Sequence, residues 1–361
     1  MKLMPAKYQQ LAQKLKEQLP KIEKSNSNKL PTEMEIAASY NVSRQTVRHA
    51  LCLLEEEGLL IRRQGSGTYI NSNKNIVHSN QIAVMTTFLD DYIFPTILRD
   101  LQSVFSTAGY STLIFATNNS VSSERNILMQ LMEQSIAALL VEGSKSALPT
   151  PNEDLYLQLK RRNIPILFLH GSYSNLNEFP CVLDNNFNGG YLLTKYLIDK
   201  GHKKIAGIFK SDDIQGPQRY HGVLSALRDN NMPICDDRFC WYDTVDRFAM
   251  INSENCDLLN NFIQHRLSDS SAIVCYNDEI AYRVVQKLFK NGIHVPINVS
   301  VVSFDNSYYC KMGNVTITSL RHKHNNTGII AAKSLLDMLS GIRIPPITYM
   351  EWELIERSSS K

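Results

Sequence analysis

The sequence predicts an α/β protein with an N-terminal winged helix-turn-helix and a two-lobed domain built on parallel sheets. Three observations lead to this fold class: a capped helix pair with a glycine-rich ribbon before residue 71, a polar segment after it, and alternating strands and helices from Gln81 onward. We therefore expect two domains, 1–71 and 81–361, joined by a linker over residues 72–80.

The first domain begins with two helices separated by a tight turn. Thr32 and Glu35 form a capping box, which predicts a short helix over residues 33–40. Asn41 tolerates the left-handed backbone of a turn, and Ser43 caps the second helix. The apolar residues of that helix recur at spacings of three and four and form its buried stripe, namely Val47, Ala50, Leu51 and Leu54.

The opposite face of the second helix carries cations and hydrogen-bonding groups. Arg44 and Arg48 are four residues apart, as are Gln45 and His49, so the first two turns present these side chains together. Arginine can form two hydrogen bonds with guanine, and glutamine can do the same with adenine. This face therefore predicts a recognition helix that enters the major groove of DNA.

A β-ribbon is predicted to follow the helix pair. Its strands lie at residues 59–62 and 68–70, after Gly58 ends the helix, and residues 63–67 form a basic, flexible tip. A phosphate-cradling loop is one alternative, but such a loop opens a helix, whereas a strand follows here. A small helical domain with a solvated charged face is another, since such helix pairs also occur in proteins that bind no DNA.

The positive charge is concentrated in the first domain. Residues 1–71 contain eleven Lys and Arg against seven Asp and Glu, a balance of 11 − 7 = +4, whereas the whole chain of 361 residues has 38 − 35 = +3. The rest of the chain, residues 72–361, is therefore close to neutral. We expect double-stranded DNA to be the partner of the first domain and not of the second.

The sequence also indicates the cellular compartment of the protein. The N-terminal residues are polar and periodic, unlike a secretory signal, and no apolar run approaches the roughly 18 residues of a membrane span. Seven cysteines without a CxxC pair favour thiols in a reducing environment. We therefore expect a cytoplasmic protein that contacts no membrane.

From Gln81 onward, apolar strands alternate with amphipathic helices. Strands are predicted at residues 82–88, 112–116, 138–141, 166–169, 205–209, 272–275 and 299–304, and helices at 97–107, 124–134, 190–199, 220–229 and 280–290. This alternation is typical of parallel sheets with helices on both faces. About eleven strands exceed the need of one such domain, so we expect two similar lobes that share a cleft.

Ligand groups in such lobes lie just after the carboxyl ends of strands. This rule selects Asp90, Asp91, Tyr92, Phe94, Glu142, Lys145, His170, Arg219, Asn277 and Asp305. Carboxylates, amides and an arginine can bond sugar hydroxyls while aromatic rings stack on a sugar face, which predicts a small sugar as the ligand. Alternatives stay open: Asp278 as a helix cap, His170 as a loop histidine with internal partners, and Lys145 as a solvated surface residue.

The first domain resembles the winged-helix domain of the GntR family of bacterial transcription regulators. The resemblance rests on LPTEMEIAASYNVSRQTVRHAL and LEEEGLLIRRQGSGTYI, with Met34 where the family commonly has Arg. It implies operator contacts by the recognition helix and the wing tip, and Glu33 is a candidate replacement for the contact that Met34 lacks. The expected DNA-binding residues are Lys7, Thr32, Glu33, Ser43, Arg44, Gln45, Thr46, Arg48, His49, Gln64, Gly65, Ser66 and Gly67.

The second domain resembles the effector domain of the lac/galactose repressor family, which is similar to periplasmic sugar-binding proteins. Matching segments include QGPQRYHGVLSAL, VCYNDEIAYRVVQKLF and TSLRHKHNNTGIIAAKSLL. The resemblance implies a periplasmic-binding-protein-like fold with inducer contacts by Arg219, Asn277, Asp305 and His322, which stands where the family often has Gln. Asp184 lies in the family's Asp-Asn pair before the crossing into the second lobe. The family's own helix-turn-helix and hinge helix are absent, so the way the linker transmits closure is left open.

The combination of the two modules resembles the arabinose-utilisation repressors of low-GC Gram-positive bacteria, with further local matches at DYIFPTILRDL, LLVEGSKSAL, IFKSDDIQG and CYNDEIA. This resemblance, and no feature of composition or spacing, implies L-arabinose as the effector. The expected mechanism is a homodimeric repressor whose cleft closes on sugar and thereby weakens operator binding. No cofactor is expected.

Three other functions are less consistent with the sequence. A pyridoxal-phosphate enzyme fused to the winged helix would need a larger fold, with a Schiff-base lysine and a paired aspartate. A sugar-binding module without a DNA role would need an export signal or a membrane segment. A metal site at His322 and His324 has no recognisable third ligand.

Overall fold

The computed structural model describes residues 7–23, 28–56, 59–63, 66–70, 79–89, 93–252, 256–267, 269–324 and 326–361. It forms two compact units, one containing residues 1–79 and 158–164 and the other containing residues 80–157 and 165–361. Several predictions fall outside the described residues: the linker apart from Ser79 and Asn80, the helix end at Gly58, and the site candidates Gln64, Gly65, Asp90, Asp91 and Tyr92.

The first unit contains the predicted helix pair and ribbon. Its elements are α1 (Lys7–Glu23), α2 (Glu33–Tyr40), α3 (Arg44–Glu56), β1 (Leu60–Arg63) and β2 (Gly67–Ile70). The two strands pair in antiparallel fashion, with Leu60 opposite Ile70 and Arg63 opposite Gly67. The order of elements is that of a winged helix-turn-helix, with strand bounds that differ from the predicted ones by a single residue.

The helix caps of this unit are those that the sequence predicts. Thr32 Oγ1 accepts a hydrogen bond from Glu35 N (3.3 Å), and the Glu35 carboxylate accepts one from Thr32 N (2.7 Å). Asn41 ends α2 with a φ of 50°, and Ser43 Oγ accepts from Thr46 N (3.1 Å) at the start of α3. The predicted apolar stripe of α3 lies in one core with α1, and its four members are at most 1% exposed: Val47, Ala50, Leu51 and Leu54.

The second unit has two lobes, each built on a six-stranded sheet. The first-lobe strands are β3 (Gln81–Thr86), β4 (Ser111–Ala116), β5 (Ala138–Val141), β6 (Ile166–Leu169), β7 (Cys181–Asp184) and β13 (Ile347–Met350). They are parallel throughout, in the order β13-β7-β6-β5-β3-β4. The helices that accompany them are α4 (Phe94–Thr107), α5 (Val121–Glu133), α6 (Glu153–Arg161) and α12 (Thr327–Leu339).

The second-lobe strands are β8 (Ile205–Lys210), β9 (Phe239–Tyr242), β10 (Ala272–Cys275), β11 (Ser300–Phe304), β12 (Thr318–His322) and β14 (Trp352–Ile355), in the order β14-β12-β11-β10-β8-β9. The helices are α7 (Asn186–Asp199), α8 (Gln215–Asp229), α9 (Thr244–Asn252), α10 (Asp257–Asn261) and α11 (Asp278–Lys290). Strand β14 departs from the parallel pattern because it pairs antiparallel with β12.

The chain crosses between the lobes three times, from β7 to α7, from β12 to α12 and from β13 to β14. The parallel strands of both lobes direct their carboxyl ends toward the space between the lobes. Glu351 alone separates β13 from β14, so the chain enters the second lobe at this edge and must run away from it. This direction explains why β14 is antiparallel. The orientation of the parallel strands also places the strand-end residues of both lobes around one cleft.

The predicted helices of the second unit begin earlier than the apolar periodicity indicates. Helix α8 begins at Gln215 and not at residue 220, and its first turn contains Gly216. A Cβ on Gly216 would lie 1.8 Å from Lys210 O, so this turn packs closely without an apolar side chain to mark it. The prediction omitted β7, β9, β12, β13 and β14. Four of these strands, β9, β12, β13 and β14, contain exposed or half-buried positions, unlike the fully buried strands β5, β6 and β10, so they lack a continuous apolar run.

The apolar core of each lobe lies between its sheet and the covering helices. In the first lobe, buried residues of β3, β5 and β6 pack against α4 and α12, with Leu101 and Phe105 fully buried. All seven cysteines are thiols without a disulfide partner. Within the described part of the chain, no helix has the length and apolar character needed to span a membrane.

Candidate functional site

On the exposed face of α3, arginines surround one carboxylate. Glu33 Oε2 lies 3.1 Å from Arg44 Nε and 3.4 Å from Arg48 Nη2, and Glu33 Oε1 lies 3.4 Å from Arg62 Nη2 on β1. Burial alone would raise the pKa of Glu33, but the hydrogen bonds and charges of these arginines hold it below its usual value. Glu33 therefore orients the two arginines of the predicted recognition face and ties them to the wing strand.

The other predicted residues of this face divide into two groups. Gln45 and His49 are exposed on α3, and Lys7 is exposed at the start of α1. Ser43 and Thr46 bond each other through their hydroxyl groups (2.8 Å), and the Thr32 hydroxyl caps α2. The hydroxyl groups of these three residues thus already serve the helix caps, and their contacts with DNA stay predictions.

The described part of the wing is basic and built around Tyr69. Ser66 Oγ lies 2.6 Å from Tyr69 Oη, and the Arg63 guanidinium carbon lies 5.0 Å from the centre of the Tyr69 ring. Lys29 Nζ lies 5.7 Å from the same ring, and a Cβ on Gly67 would lie 2.9 Å from Lys29 Cε. Lys29 was not among the predicted DNA-binding residues, because it lies far from the wing in sequence.

A small cavity of about 50 Å³ lies between the lobes of the second unit, where strand ends from both sheets meet. Its wall contains most of the described candidates: Phe94, Glu142, His170, Asp184, Arg219, Asn277 and Asp305. Ligand pockets commonly measure about 300–1,000 Å³. This cavity is therefore smaller than a sugar requires, while an adjoining cavity of about 290 Å³ shares Ile93 and Asp305 with it.

Arg219 and Asp305 form one side of the cavity. Arg219 is 1% exposed; its Nε donates to Asn186 Oδ1 (3.0 Å), its Nη1 donates to the Tyr276 carbonyl, and its Nη2 donates to Asp305 Oδ1 (3.4 Å). The guanidinium carbon also lies 4.1 Å from the centre of the Phe304 ring. These contacts hold a planar donor and a carboxylate acceptor in fixed positions, as bidentate recognition of hydroxyl groups requires.

Asp184 lies at a second side of the cavity, and two neighbouring side chains fix the position of its carboxylate. His322 Nε2 lies 2.7 Å from Asp184 Oδ1, and Gln215 Nε2 donates to Asp184 Oδ2 (3.0 Å). Burial alone would raise the pKa of Asp184, but the charges of His322, His170 and Arg219 hold it well below its usual range. His322 is not among the described residues of this cavity wall but lines the adjoining cavity together with Asp305, and its direct contact with ligand stays a prediction.

His170 and Glu142 form a third side of the cavity. Glu142 Oε2 accepts from Thr87 N (2.9 Å) and Thr87 Oγ1 (2.5 Å), while Glu142 Oε1 lies 3.4 Å from His170 Nδ1. Burial alone would lower the pKa of His170, but the charges of Asp184, Glu142 and Asp305 raise it. Among the described residues, His170 Nε2 is buried with no hydrogen-bond partner, so this atom is a candidate for a ligand contact.

The cap of α11 corrects one interpretation of the sequence. Asn277, and not Asp278, is the cap, because its Oδ1 accepts from Ile280 N (3.0 Å). Asp278 is fully buried one residue further on and accepts from the hydroxyl groups of Ser303 and Ser319 (2.7 Å from Ser319 Oγ). The helix begins at Asp278, so only the side chain before it can reach the first-turn amides.

Several residues of the wall were missed at the sequence level. Lys210 Nζ donates to Asp213 Oδ2 and lies 3.4 Å from Asp212 Oδ1, and Arg247 Nε donates to Glu279 Oε2 (2.8 Å). The strand-end rule could have found Lys210, which is the last residue of β8, and Asp213, which lies three residues after it. Arg247 lies within α9, and nothing in the sequence marks it.

Each cation of the wall stands beside a carboxylate: Lys210 with Asp213, Arg219 with Asp305, and Arg247 with Glu279. Glu142 and Asp184 add further carboxylates. An anionic ligand would face these acceptors at close range, whereas neutral hydroxyl groups can donate to them and accept from the cations. The arrangement suits a neutral polyhydroxy compound.

One described candidate lies elsewhere. Lys145 is half-buried, is not among the described residues of the cavity wall, and uses its backbone amide to donate to Asn119 Oδ1 (2.6 Å). Its effector contact stays a prediction. Among the described residues, no group of three His, Cys, Asp or Glu side chains is arranged to hold a metal ion.

Comparison with known proteins identifies both units. Residues 7–70 match the family of bacterial regulatory proteins described as gntR, and residues 194–360 match a periplasmic binding protein-like domain. A curated arabinose metabolism transcriptional repressor from Geobacillus stearothermophilus is 35% identical over 361 residues, which covers 98% of each chain. The chain belongs to the arabinose metabolism transcriptional repressor family. A second member of this family, from Halalkalibacterium halodurans, is 34% identical over 93% of this chain and 90% of that relative.

The two-lobed architecture of this family member also has solved counterparts. A periplasmic binding protein/LacI transcriptional regulator from Alkaliphilus metalliredigens, complexed with D-xylulofuranose, superposes with a TM-score of 0.67. The alignment has 20% sequence identity and covers 78% of this chain and 100% of that chain. At this identity the likeness concerns the fold alone.

Proposed function

We propose that this protein represses transcription by binding operator DNA as a homodimer, and that a small neutral sugar, first of all L-arabinose, releases it. The observation that carries the proposal is the paired charge of the cleft, which suits a neutral polyol, in a chain that also has a basic winged helix. The two family members that are arabinose metabolism repressors support L-arabinose as the first choice.

Release follows from the different affinities of the sugar for two shapes of the second unit, which we call the effector unit. We interpret the cavity of about 50 Å³ as that of a closed shape, and the two lobes must move apart before sugar can enter. A ligand that bonds both lobes stabilises the closed shape, and any difference between the shapes in operator affinity then appears as release. Two winged helices of a dimer would occupy two half-sites of a pseudo-palindromic operator in the cytoplasm.

The first experiment tests the ligand. Thermal unfolding of the full chain is followed with L-arabinose, with D-xylose and D-ribose, and with L-arabinonate as a matched anionic control. We expect L-arabinose to raise the melting temperature, since a ligand that binds the native state stabilises it, and L-arabinonate to leave it unchanged. A response to the acid as strong as that to the sugar would contradict the paired-charge argument.

The second experiment tests the coupling to DNA. Duplexes selected from a random library without sugar should contain an inverted repeat, and L-arabinose should release them in an anisotropy titration. Linkage requires the operator to lower sugar affinity by the same factor, typically about 5- to 150-fold. The proposed function would be refuted if the selection yields no sequence-specific duplex, or if no sugar releases the protein from the selected duplex.

A further inference from the structure

The loop after β8, residues 211–214, reaches from the second lobe into the first. Ile214 N donates to Ser146 Oγ (3.1 Å), and Ala147 N donates to the Asp212 carbonyl oxygen (3.4 Å). A Cβ on Gly171 would lie 2.7 Å from Ile214 Cγ2, so a larger residue at this position would have to move the Ile214 side chain. The loop thus contacts the first lobe at segments that follow two of its strands, β5 and β6.

Asn119, after β4, is the centre of these contacts. Its side chain is 1% exposed, and its Nδ2 lies 2.6 Å from Thr244 Oγ1, 3.3 Å from Asp212 Oδ2 and 3.3 Å from Asp213 Oδ1. All three acceptors belong to the second lobe. Its Oδ1 accepts from Lys145 N (2.6 Å) within the first lobe, so one amide is fixed by its own lobe and donates to the other.

The acceptors of Asn119 connect directly to the ligand cavity. Asp213 accepts from Lys210 and lies within 3.4 Å of Tyr276 Oη, and all three of these residues line the cavity, whereas Asn119 does not. Asp212 is held in turn by Thr244, whose N and Oγ1 donate to Asp212 Oδ2 (3.1 and 2.6 Å). Asn119 is therefore bonded to the cavity wall through Asp213 without lining the cavity itself.

We propose that Asn119 is a positioning residue that latches the two lobes in the closed shape and so sets the sugar sensitivity of the protein. Asn119 Nδ2 and its three acceptors lie on opposite lobes, so opening the cleft breaks the hydrogen bonds between them. The latch then favours closure whatever the ligand is. This inference rests on the proposed release by sugar for its biological consequence, but the latch itself is a property of the effector unit.

A latch and a sugar contact have different consequences for affinity. The apparent dissociation constant equals the intrinsic constant divided by the fraction of protein in the binding-competent shape. Weakening a latch lowers that fraction, so affinities for all sugars fall by one common factor. Removing a sugar contact instead changes the affinities of different sugars by different factors, according to which hydroxyl group was bonded.

The test uses Asn119→Asp, Thr244→Val and the control Asn118→Asp. Asn119→Asp keeps size and shape but replaces the donor with an acceptor that faces two carboxylates. Asn118 is the neighbouring residue, has nearly the same φ (52° against 54°) and is exposed, so Asn118→Asp makes the same chemical change without the latch. Circular dichroism and thermal unfolding establish that each variant is folded.

Calorimetry with L-arabinose and with any second sugar that binds the wild type gives the first readout. Hydrogen bonds to charged groups contribute enough for about a 10-fold effect. We expect Asn119→Asp to weaken both sugars by the same factor of about 10 or more, Thr244→Val to act in the same direction, and Asn118→Asp to match the wild type. Operator affinity without sugar should not fall. Unequal factors for two sugars, or unchanged affinities in Asn119→Asp, would overturn the latch.

Hydrogen exchange without sugar gives a readout that does not depend on the ligand. The Ile214 and Ala147 amides bond across the lobes, so peptides containing them should exchange faster in Asn119→Asp than in the wild type or Asn118→Asp. Equal exchange in all three proteins would refute the latch even if sugar binds. Faster exchange in a protein that binds no sugar would leave the latch standing and refute the proposed function instead.

Discussion

His322 and Asp184 join two of the three crossings between the lobes. His322 ends β12, Asp184 ends β7, and His322 Nε2 lies 2.7 Å from Asp184 Oδ1. The third crossing is bonded to the same place, since Trp352 Nε1 donates to the Asn185 carbonyl oxygen (2.9 Å) and Asn185 Nδ2 donates to Glu351 Oε1 (3.1 Å). The three crossings and the cavity between the lobes therefore share Asp184.

Removing the histidine should destabilise the effector unit. His322→Ala leaves the buried Asp184 carboxylate without its closest partner, which typically costs about 3–5 kcal/mol, whereas His322→Gln keeps a donor and should lose less. Urea unfolding measures the difference. Arg321→Ala, which removes the neighbouring exposed pair with Glu353, is the control and should change stability by less than about 1 kcal/mol.

The same variant makes a prediction about pH. Surrounding cations hold the pKa of Asp184 below its usual value of 3.8, so the carboxylate adds stability that is fully present above that pH and is lost as the pH falls through the folded-state pKa. The difference between wild type and His322→Ala should therefore shrink as the pH falls below 3.8 toward the folded-state pKa of Asp184. A difference that grows in acid would contradict this assignment.

Asp305 and Arg219 should dominate sugar affinity. Asp305→Ala removes an acceptor from the wall and leaves the buried guanidinium of Arg219 with fewer partners, so L-arabinose binding should weaken by about 2 kcal/mol or more. Calorimetry measures the loss, and Asp337→Ala on the far end of α12 provides a control outside the cavity wall. Unchanged affinity in Asp305→Ala would remove this residue from the ligand site.

Arg48 should contribute to operator recognition, and Glu33 should modulate it. Arg48→Ala is expected to weaken operator binding by about 1–3 kcal/mol while sugar affinity is unchanged. Glu33→Gln removes the negative charge beside Arg44, Arg48 and Arg62, so binding to scrambled duplex should strengthen and become more dependent on salt. Anisotropy titrations on operator and scrambled duplex at two salt concentrations decide both points. Equal operator affinity for Arg48→Ala and wild type would refute the recognition-helix assignment.

Asp278 should make stability depend on pH in the opposite sense to Asp184. Burial raises the pKa of Asp278 from 3.8 to about 6, with a further contribution from the charge of Asp305. Its protonated form favours folding below pH 3.8, and this contribution is lost as the pH rises through about 6. Relative to Asp278→Asn, the wild type should lose stability between these two pH values and then level off. Parallel pH profiles for the two proteins would show that Asp278 is already ionised in acid.

The sequence by itself determined the local elements of the first unit. The caps at Thr32 and Ser43, the turn at Asn41 and the buried stripe of α3 depend on residues within four positions of one another, where side chain and backbone meet directly. The strand-end rule likewise located Arg219 and Asp305, because the carboxyl ends of parallel strands share an edge whatever the details of packing.

The tertiary structure alone decided which side chains meet across the cleft. Asn119 reaches Thr244 over 125 residues of chain, and His322 reaches Asp184 over 138. Arg247, inside a helix, enters the cavity wall, and Lys145, after a strand, does not. The spacing of residues along the sequence does not predict these contacts, because they depend on how the three crossings orient one lobe against the other. A pattern read along the chain reports the contacts of neighbouring residues, whereas the position of a lobe follows from all of its packing at once.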